Sequence, residues 1–552
     1  MDEFKEEIIK FLKKEAKLEN AELEIPPNQE MGDFAFPCFM LSKEWKKAPN
    51  DIAKELSAKF KPTKLVHEAR AIGPYLNFFV NKNKIAEEAI HQTLKLKGKY
   101  GSSNAGKSKK IFLEHTSINP NASPHVGRAR NALIGDSIAR ILRFQGYKVE
   151  VHYFVNDVGK QIAALVLGSE GRKSVNFDDL LKIYIEISKK IEENPELEKQ
   201  VLELLNKLEK GDKEIRKKFE NVVKTCIDGQ VSIFSDLGIK YDAFDYESKY
   251  LWSKETEKTL KLLEKTGKLF IDGFNRWVLD QKGYGLGMKV PVFVLTRGDG
   301  TSLYPLRDIT YNIEKAKKGG NIVVLGEDQK LYQEQIAAAL KELKVDHPRV
   351  VHYSFVLLQE GKMSTRKGNL VLLEDFMKEA LQKASEELKK RYDIVDEKSA
   401  KTIAYGAVKY GILKVSPEKN VNFSWKQALS FEGETSPYIQ YAYARISSIL
   451  AKDKANAKAD LSLLKEKEET ELVKLLSNFP DIVMKATNEL KPHLIASYLY
   501  SLAQKFNEYY HAHNILKADE KIKDARLLLI SAIRQVLKNG LNLLGIDVLE
   551  KM

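Results

Sequence analysis

The stretch from residue 111 to residue 155 decides the fold. It begins Ile111-Phe112-Leu113-Glu114-His115, a mainly apolar run that predicts a buried strand. After a polar loop, apolar residues recur at helical spacing from 126 to about 144 and predict a long helix that ends before Gly146. A second strand is predicted from 149 to 155. Strand, helix and strand in this order form a βαβ unit, so we expect a parallel sheet covered by helices.

The sequence on either side of this unit predicts three regions. Residues 1–105 combine helical patterns with a turn and strand at 71–80, which indicates a small α+β domain ending in a Gly-, Ser- and Lys-rich linker. Residues 106–400 should hold the sheet, with a charged helical insertion at about 160–245 and further strand signals at 277–279, 290–295 and 322–325. Residues 401–552 have a helical pattern almost throughout, and Gly540 is the predicted C-terminal cap of a last helix at 526–539.

The composition is that of a folded protein whose charge suits a polyanionic partner. Among 552 residues, 43% are hydrophobic and 30% are charged, which excludes a disordered chain. The net charge of +13 fits nucleic-acid binding, but it equally fits a lysine-rich solvated surface, and charge alone does not separate the two. The two cysteines, Cys38 and Cys226, are too few for a four-cysteine zinc site or a disulfide framework.

The sequence also bears on location. No apolar run approaches the ~20 residues needed to span a bilayer. The acidic start lacks a signal-peptide core, and the first arginine is Arg70, which argues against an arginine-rich presequence. We therefore expect a cytoplasmic protein with no membrane partner.

Residues 101–108, Gly101-Ser102-Ser103-Asn104-Ala105-Gly106-Lys107-Ser108, match the phosphate loop of P-loop NTPases letter for letter. That loop binds phosphate only between a preceding strand and a following helix. Here a predicted helix precedes it and a predicted strand follows, so we interpret the segment as a linker.

A candidate phosphate site lies between the first strand and the long helix, in Asn119-Pro120-Asn121-Ala122-Ser123-Pro124-His125-Val126-Gly127-Arg128. Backbone N–H groups at a helix start attract anions. His125 can donate to a phosphate, Gly127 permits close approach, and Arg128 adds a permanent cation. A helix cap or core residue would show similar features, so this segment alone does not decide the function.

A second candidate is the cationic segment Lys362-Met363-Ser364-Thr365-Arg366-Lys367-Gly368, which follows an apolar run at 355–358. A cationic loop of this kind can neutralise the charge that develops on a leaving pyrophosphate. Taken alone, a solvated basic turn explains it as well.

Together, the two segments resemble the two signature sequences of class I aminoacyl-tRNA synthetases. Flanking stretches make the chain similar to the arginyl-tRNA synthetase family in particular, at 114–120, 129–132, 156–161, 304–308 and 406–410. Residues 1–100 and the tail from 438 to 546 resemble that family's N-terminal tRNA-contacting domain and its helical anticodon-binding domain. The resemblance implies an α/β fold, with a Rossmann-like parallel-sheet catalytic domain between a small N-terminal α+β domain and an all-helical C-terminal domain.

The resemblance implies a pocket for arginine in which Glu114 and Asp308 bind the guanidinium group, with Tyr304 beside them. Carboxylates bind guanidinium bidentately, and a ligand such as lysine or citrulline would leave their polar groups poorly paired. Further positions match those that hold the α-amino and carboxylate groups. The full predicted arginine-binding set is Glu114, Ser117, Asn119, His125, Tyr304, Asp308 and Gln329.

The resemblance also implies ATP-binding and catalytic residues. For ATP they are Pro124, His125, Gly127, Arg128, Lys362, Met363 and Ser364, and for catalysis His125, Arg128, Lys362 and Lys367. Mg²⁺ would be bound through the nucleotide, without a protein site of its own. Arg128 replaces the family's second signature histidine and Thr365 replaces a signature lysine. Which cation meets the pyrophosphate therefore stays open among Lys362, Arg366, Lys367 and Arg128, with Lys362 and Lys367 preferred.

The implied function is ATP-dependent ligation of L-arginine to its cognate tRNA isoacceptors through arginyl-adenylate, with release of AMP and pyrophosphate. The family resemblance further implies a monomer that needs bound tRNA to form the adenylate. Expected tRNA contacts in the helical domain are Tyr438, Tyr441, Arg445 and Tyr509, with Tyr443 and Tyr510 as further candidates. Aromatic residues at helical spacing are, however, more often core residues.

Two other classes of function stay open. One is a P-loop NTPase that uses Lys107. The other is a non-catalytic tRNA-binding paralogue, suggested by Arg128 and Thr365.

Overall fold

The computed structural model describes residues 2–18, 21–24, 26, 31–172, 174–359, 371–391, 396–453 and 455–552. The predicted fold class is confirmed, because a small α+β region, a parallel sheet covered by helices and a helical region follow one another along the chain. The domain boundaries predicted at 105/106 and 400/401 stay predictions.

The N-terminal region is built on a small antiparallel sheet. Its elements are α1 (Asp2–Ala16), β1 (Phe34–Pro37), α2 (Ser42–Trp45), α3 (Pro49–Lys59), β2 (Val66–Ile72), β3 (Tyr75–Val80) and α4 (Lys82–Leu96). The strand order is β1–β3–β2, and both pairings are antiparallel. Gly73, at φ +57°, makes the tight turn between β2 and β3. Apolar residues of α1 and α3, such as Ile8 and Leu56, are fully buried against this sheet.

The central region contains the strands and helices that position the site. They are β4 (Lys110–Glu114), α5 (Val126–Phe144), β5 (Lys148–Val155), α6 (Lys160–Ser169), α7 (Phe177–Glu193), α8 (Pro195–Glu209), α9 (Lys213–Asp236), β6 (Ala243–Tyr246), α10 (Lys249–Trp252), α11 (Glu255–Glu264), β7 (Leu269–Ile271), β8 (Trp277–Asp280), β9 (Val292–Val294), α12 (Tyr304–Ala316), β10 (Gly320–Gly326), α13 (Lys330–Glu342), β11 (Arg349–Tyr353), β12 (Val356–Leu358) and α14 (Leu373–Lys389).

The main sheet has five parallel strands in the order β11–β10–β4–β5–β6. From β4 the chain crosses through α5 to β5 on one side, whereas β10 lies on the other side. The carboxyl ends of β4 and β10 therefore flank a topological switch point, where ligands of open α/β sheets bind.

Two strand signals expected for the main sheet belong elsewhere. Residues 277–279 and 290–295 contribute to β8 and β9, which form a separate antiparallel sheet with β7. The connection from β7 to β8 is only residues 272–276, too short for the crossover that a parallel pair requires. Helices α6 to α9 share an apolar core with Tyr153 and Val155 of β5.

The segment that matches a phosphate loop is a turn between α4 and β4. The backbone N–H groups of Gly106 and Ser108 donate to the carbonyls of Gln145 and Gly146, at 2.8 and 2.9 Å. A Cβ at Gly106 would lie 2.6 Å from the Tyr147 ring. These N–H groups are already used and the loop is packed against protein, so it does not form a phosphate cradle.

The C-terminal region is helical apart from one short strand. Its elements are α15 (Glu397–Leu413), β13 (Val421–Phe423), α16 (Trp425–Ala428), α17 (Ser436–Leu450), α18 (Lys467–Glu489), α19 (His493–Ala512) and α20 (Glu520–Leu543). Strand β13 pairs in parallel with β12. Tyr100 donates its hydroxyl to the Leu476 carbonyl at 2.9 Å, which joins the end of the N-terminal region to α18.

The prediction that Gly540 caps the last helix was wrong. Helix α20 continues to Leu543, and the glycine at φ +68° beyond its end is Gly545. Gly540 lies inside the helix, at a position where a Cβ would come within 2.5 Å of the Leu499 side chain. Its small size thus serves helix packing. No described helix combines the length and apolar character needed to cross a membrane.

Candidate active site

A cavity of about 480 Å³ opens at the carboxyl ends of β4 and β10 and faces α12. Predicted arginine-binding residues that line it are Glu114, Ser117, Asn119, Tyr304, Asp308 and Gln329. His125, the remaining member of that set, is not part of its lining as far as the chain is described. Arg128, predicted for ATP, does line it. The fold therefore brings most of the predicted pocket together around one crevice.

The backbone directly after β4, which lines this cavity, is strained. Thr116 and Ser117 have φ values of +72° and +42°, which residues with a side chain adopt at a cost of about 1–3 kcal/mol each. Asn131 of α5 stabilises this turn by accepting from Thr116 N at 2.6 Å and donating to Val324 O at 2.8 Å. One amide thus holds the ends of β4 and β10 together.

The buried charges around the cavity are mostly paired. The Lys315 ammonium lies 2.7 Å from a Glu114 oxygen, and these side chains are 6% and 11% exposed. The Arg307 guanidinium lies 2.7 Å from Glu247, with side chains 10% and 5% exposed. No ion pair involves Asp308 in the part of the chain that the structure describes. Asp308 is therefore the carboxylate whose charge is left for a cationic ligand.

Asp308 titrates far above the usual range of an aspartate. Burial raises the pKa of Asp308 to about 7, and the nearby negative charges of Glu247 and Glu114 act in the same direction. A hydrogen bond donated by the Tyr332 hydroxyl lowers this pKa and so opposes both effects. A guanidinium ion in the cavity would favour the ionised form.

Several cavity residues were missed from the sequence. Glu247 directly follows β6, so a polar residue at the end of a sheet strand was its available signal. Helix α12 lines the cavity with Tyr304, Asp308, Tyr311, Asn312 and Lys315. Their spacing of three and four residues places them on one helix face, a signal that was present around the predicted Tyr304 and Asp308.

The predicted nucleotide segment lies at the start of α5. His125 is the residue before the helix, and burial lowers its pKa, assisted by the positive charge of Arg128. A Cβ at Gly127 would lie 3.0 Å from His125 Cε1, so glycine allows this ring position. The backbone of Pro124 accepts from Leu373 N at 2.8 Å, and Val126 N donates to Val371 O at 2.9 Å.

The second signature lies outside the described residues. This holds for Lys362, Met363, Ser364 and Lys367, and also for Thr365 and Arg366. The residues that follow, 371–373, are hydrogen-bonded beside His125.

Comparison with known proteins assigns the family. The chain matches the family models of the arginyl tRNA synthetase N terminal domain at residues 2–80, the tRNA synthetases class I (R) catalytic domain at 89–425, and the DALR anticodon binding domain at 439–552. It is 41% identical to the arginine–tRNA ligase of Methanocaldococcus jannaschii, over 95% of this chain and 94% of that protein. The chain belongs to the arginyl-tRNA synthetases. The Pyrococcus furiosus arginine–tRNA ligase is 38% identical, over 95% of each chain.

A solved structure of an arginyl-tRNA synthetase has the same architecture. The Thermus thermophilus enzyme superposes with a TM-score of 0.85 at 29% identity, covering 99% of both chains. The similarity spans the whole length, so the cavity described above lies in the catalytic domain of an arginyl-tRNA synthetase fold.

In the helical domain of this synthetase, the predicted tRNA contacts separate into two groups. The Arg445 guanidinium stacks between the rings of Tyr441 and Tyr510, at 4.7 and 4.6 Å from their centroids. Tyr438 is half-buried, with its ring beside Tyr500. Tyr510 is 38% exposed, so part of this stack faces solvent.

Tyr509 does not belong with these contacts. It is fully buried, and its hydroxyl lies 3.3 Å from Glu469. Tyr443 is also buried and donates to Glu550 at 2.8 Å. A ring without an exposed face cannot stack on a base, so the structure does not support the prediction that Tyr509 contacts tRNA. Helical spacing of aromatic residues does not distinguish the two cases.

Proposed function

We propose that this chain ligates L-arginine to its cognate tRNA in two steps, using ATP and forming arginyl-adenylate. The observation that carries the proposal is the cavity at the switch point, where one uncompensated carboxylate lies among buried ion pairs. A pocket with this charge balance suits a side chain that carries one positive charge. Ammonium ligands would satisfy fewer of its acceptors than the forked guanidinium group does.

Arginine recognition rests on Asp308, with Glu247 and Glu114 beside it. Asp308 binds the guanidinium group directly, whereas Arg307 and Lys315 already neutralise the other two carboxylates in part. We assign Ser117, Asn119 and Gln329, on the opposite walls formed after β4 and β10, to the α-amino and carboxylate groups. Tyr304, 53% exposed, forms part of the rim.

The nucleotide half is assigned to the start of α5. The helix dipole at this position favours phosphate, Gly127 leaves room beside His125, and Arg128 supplies a cation at the cavity. Lys362 and Lys367 remain the proposed partners of the leaving pyrophosphate. Mg²⁺ would be held through the nucleotide. In the described residues, one cluster offers three possible metal ligands, Glu466, Glu468 and His513 in the helical domain.

These residues act by positioning and by charge. The arginine carboxylate attacks the α-phosphorus of ATP in line, and the bond to pyrophosphate breaks. The ribose hydroxyl at the tRNA 3′ end then attacks the acyl carbon, and AMP leaves. Neither step needs a protein nucleophile, so catalysis rests on orientation and electrostatic stabilisation. We further propose that the enzyme acts as a monomer in the cytoplasm and that adenylate formation requires bound tRNA.

The test is pyrophosphate exchange with the full chain and total tRNA, run separately with each of the twenty amino acids. We expect exchange with arginine and with none of the other amino acids, and we expect it only when tRNA is present. Exchange in the absence of arginine would contradict the proposal, and so would a lack of exchange with every amino acid. If the chain showed no exchange but still bound tRNA, a non-catalytic paralogue would be favoured. Lys107→Ala should leave exchange unchanged, because its loop forms no phosphate cradle.

A further inference from the structure

Arg130 is a buried cation whose hydrogen bonds to the described residues all go to backbone oxygens. It lies in α5, two residues after Arg128, and it is 0% exposed. Its Nη1 donates to the carbonyls of Ser354 at 2.7 Å and Phe355 at 3.3 Å, and its Nη2 donates to that of Ser416 at 2.9 Å. Arg130 forms no ion pair with a described carboxylate, although the charge of Glu418 acts on it. Burying a guanidinium without an ion pair is costly, so its presence calls for a reason beyond packing.

Two of the three carbonyls that Arg130 binds belong to the chain that leads into the second signature. Ser354 and Phe355 immediately precede β12, and the described chain stops at Gln359, three residues before Lys362. Ser416 precedes β13, the strand that pairs with β12. The same stretch is further bound by Ser354 N to Pro417 O at 2.9 Å and by Phe355 N to Asn420 Oδ1 at 3.0 Å.

The other flank of the second signature is also tied to α5. Val371 and Leu373 exchange backbone hydrogen bonds with Val126 and Pro124, at 2.9 and 2.8 Å. Both flanks of residues 360–370 are therefore held by the first signature and its helix. Among the described residues, the hydrogen bonds between the start of α5 and the downstream flank are main-chain bonds, whereas those from α5 to the upstream flank come from the Arg130 side chain.

We propose that Arg130 is a positioning residue for the ATP step, because it sets the chain before the second signature relative to His125 and Arg128. The inference rests on the proposed function. Arg130 contacts no substrate and acts through the Ser354 and Phe355 carbonyls. Its planar fork binds two chain segments through two separate nitrogens, a geometry that the single nitrogen of a lysine does not reproduce. Misplacing a catalytic segment by about 1 Å can cost up to about a hundredfold in rate.

The experiment compares Arg130→Lys and Arg130→Met with Lys409→Met in the full chain. Lys409 is a matched control, since it is also buried, at 7% exposure, and donates to a backbone carbonyl, that of Gly545. Arginine- and tRNA-dependent pyrophosphate exchange is measured against ATP and against arginine, with thermal unfolding in parallel. We expect Arg130→Lys to lower kcat/KM for ATP about tenfold or more and to leave the arginine KM within about twofold.

Arg130→Met should lower kcat/KM for ATP further, and Lys409→Met should change neither constant. The inference would be overturned if Arg130→Lys changed the kinetic constants for arginine and for ATP equally. It would also be overturned if the kinetic changes merely followed a loss of thermal stability. Asn420→Ala provides a milder variant at an exposed position, in case the Arg130 variants do not fold. Asn420→Ala should also weaken the use of ATP, and this should appear as a raised ATP KM. An unchanged ATP KM in this variant would also overturn the inference. Absence of exchange in the wild-type chain would instead refute the proposed function.

Discussion

The arginine pocket and the stacked face of the helical domain are two different kinds of binding surface. In the pocket, charges are buried and paired before a ligand arrives, as in Glu114 with Lys315 and Glu247 with Arg307. On the helical domain, Arg445 and its neighbouring tyrosines form a half-exposed stack. Removing one partner of a buried pair leaves an unsolvated charge, whereas trimming an exposed stack loses only the contact. Changes in the pocket should therefore alter stability and specificity, and changes in the stack should act mainly on tRNA affinity.

The largest expected effect is on folding. Glu114→Gln leaves the Lys315 ammonium buried without its counter-charge, and we expect the free energy of unfolding to fall by about 3–5 kcal/mol. Urea unfolding followed by circular dichroism measures it. The double variant Glu114→Gln with Lys315→Met should regain most of the loss, because it leaves no unpaired charge. A loss below about 1 kcal/mol in the single variant would mean that this pair behaves like a surface pair.

The second expected effect is on arginine use. Asp308→Asn removes the cavity-lining carboxylate that has no ion pair with a described residue. The loss in kcat/KM for arginine should be roughly 30- to 150-fold, equivalent to about 2–3 kcal/mol of transition-state binding. Pyrophosphate exchange against arginine measures it, and the ATP KM should stay unchanged. Asp375→Asn, at an exposed position on α14, is the matched control. An unchanged arginine kcat/KM in Asp308→Asn would remove Asp308 from the pocket.

The third expected effect is a pH dependence. With a pKa of about 7, Asp308 in the free enzyme is mostly ionised at pH 8 and mostly protonated at pH 6. Because the guanidinium ion needs the carboxylate, kcat/KM for arginine should fall about tenfold over that interval. The profile should flatten in Asp308→Asn, and a wild-type profile that is already flat would contradict the assignment.

The raised pKa has an opposite consequence for stability. The ionised form of Asp308 is disfavoured in the fold, since burial raises its pKa above the value of 3.8 expected for an exposed aspartate. Its contribution to the free energy of unfolding should be intact below about pH 4 and should be lost as the pH rises to about 7. Arginine binding should restore part of it at pH 8.

The smallest expected effect is on the helical domain. Arg445→Ala removes the centre of the stack. It should raise the tRNA KM roughly fivefold, equivalent to about 1 kcal/mol of binding, without changing the arginine KM. Aminoacylation at varied tRNA concentration measures it. Tyr509→Phe is the contrasting variant, because the Tyr509 hydroxyl is buried and donates to Glu469. It should cost about 1 kcal/mol of stability and leave the tRNA KM unchanged. A tRNA effect of Tyr509→Phe that exceeds that of Arg445→Ala would reverse the comparison.

Local patterns predicted the parts of this molecule that are locally determined. The βαβ unit from 111 to 155 follows from hydrophobic periodicity and one terminating glycine, and α5 has the predicted bounds. The strands at 277–295 were assigned to the wrong sheet, since strand signals do not specify the partner strand. Gly540 was misplaced because a glycine required by the neighbouring Leu499 looks the same in sequence as a helix cap.

The site residues that could be predicted from the sequence are those that lie in short, recognisable segments. Glu114, Asp308 and Gln329 lie within or directly after the elements that form the cavity walls. Glu247 and Lys315 were missed because their significance depends on packing. Glu247 follows an edge strand separated from β5 by the helical insertion, and a lysine on a helix such as α12 is usually solvated. Arg130 shows the same limit, since its partners are carbonyls more than two hundred residues away.

The parallel pairing of β12 with β13 has a consequence for dissecting the enzyme. A fragment that ends at residue 400 would lose β13 together with the Ser416 carbonyl that Arg130 binds. Strand β12 would then present a bare row of hydrogen-bonding groups, which invites self-association. A soluble catalytic fragment should therefore extend at least through Phe423, and limited proteolysis should cut more readily elsewhere than between these paired strands.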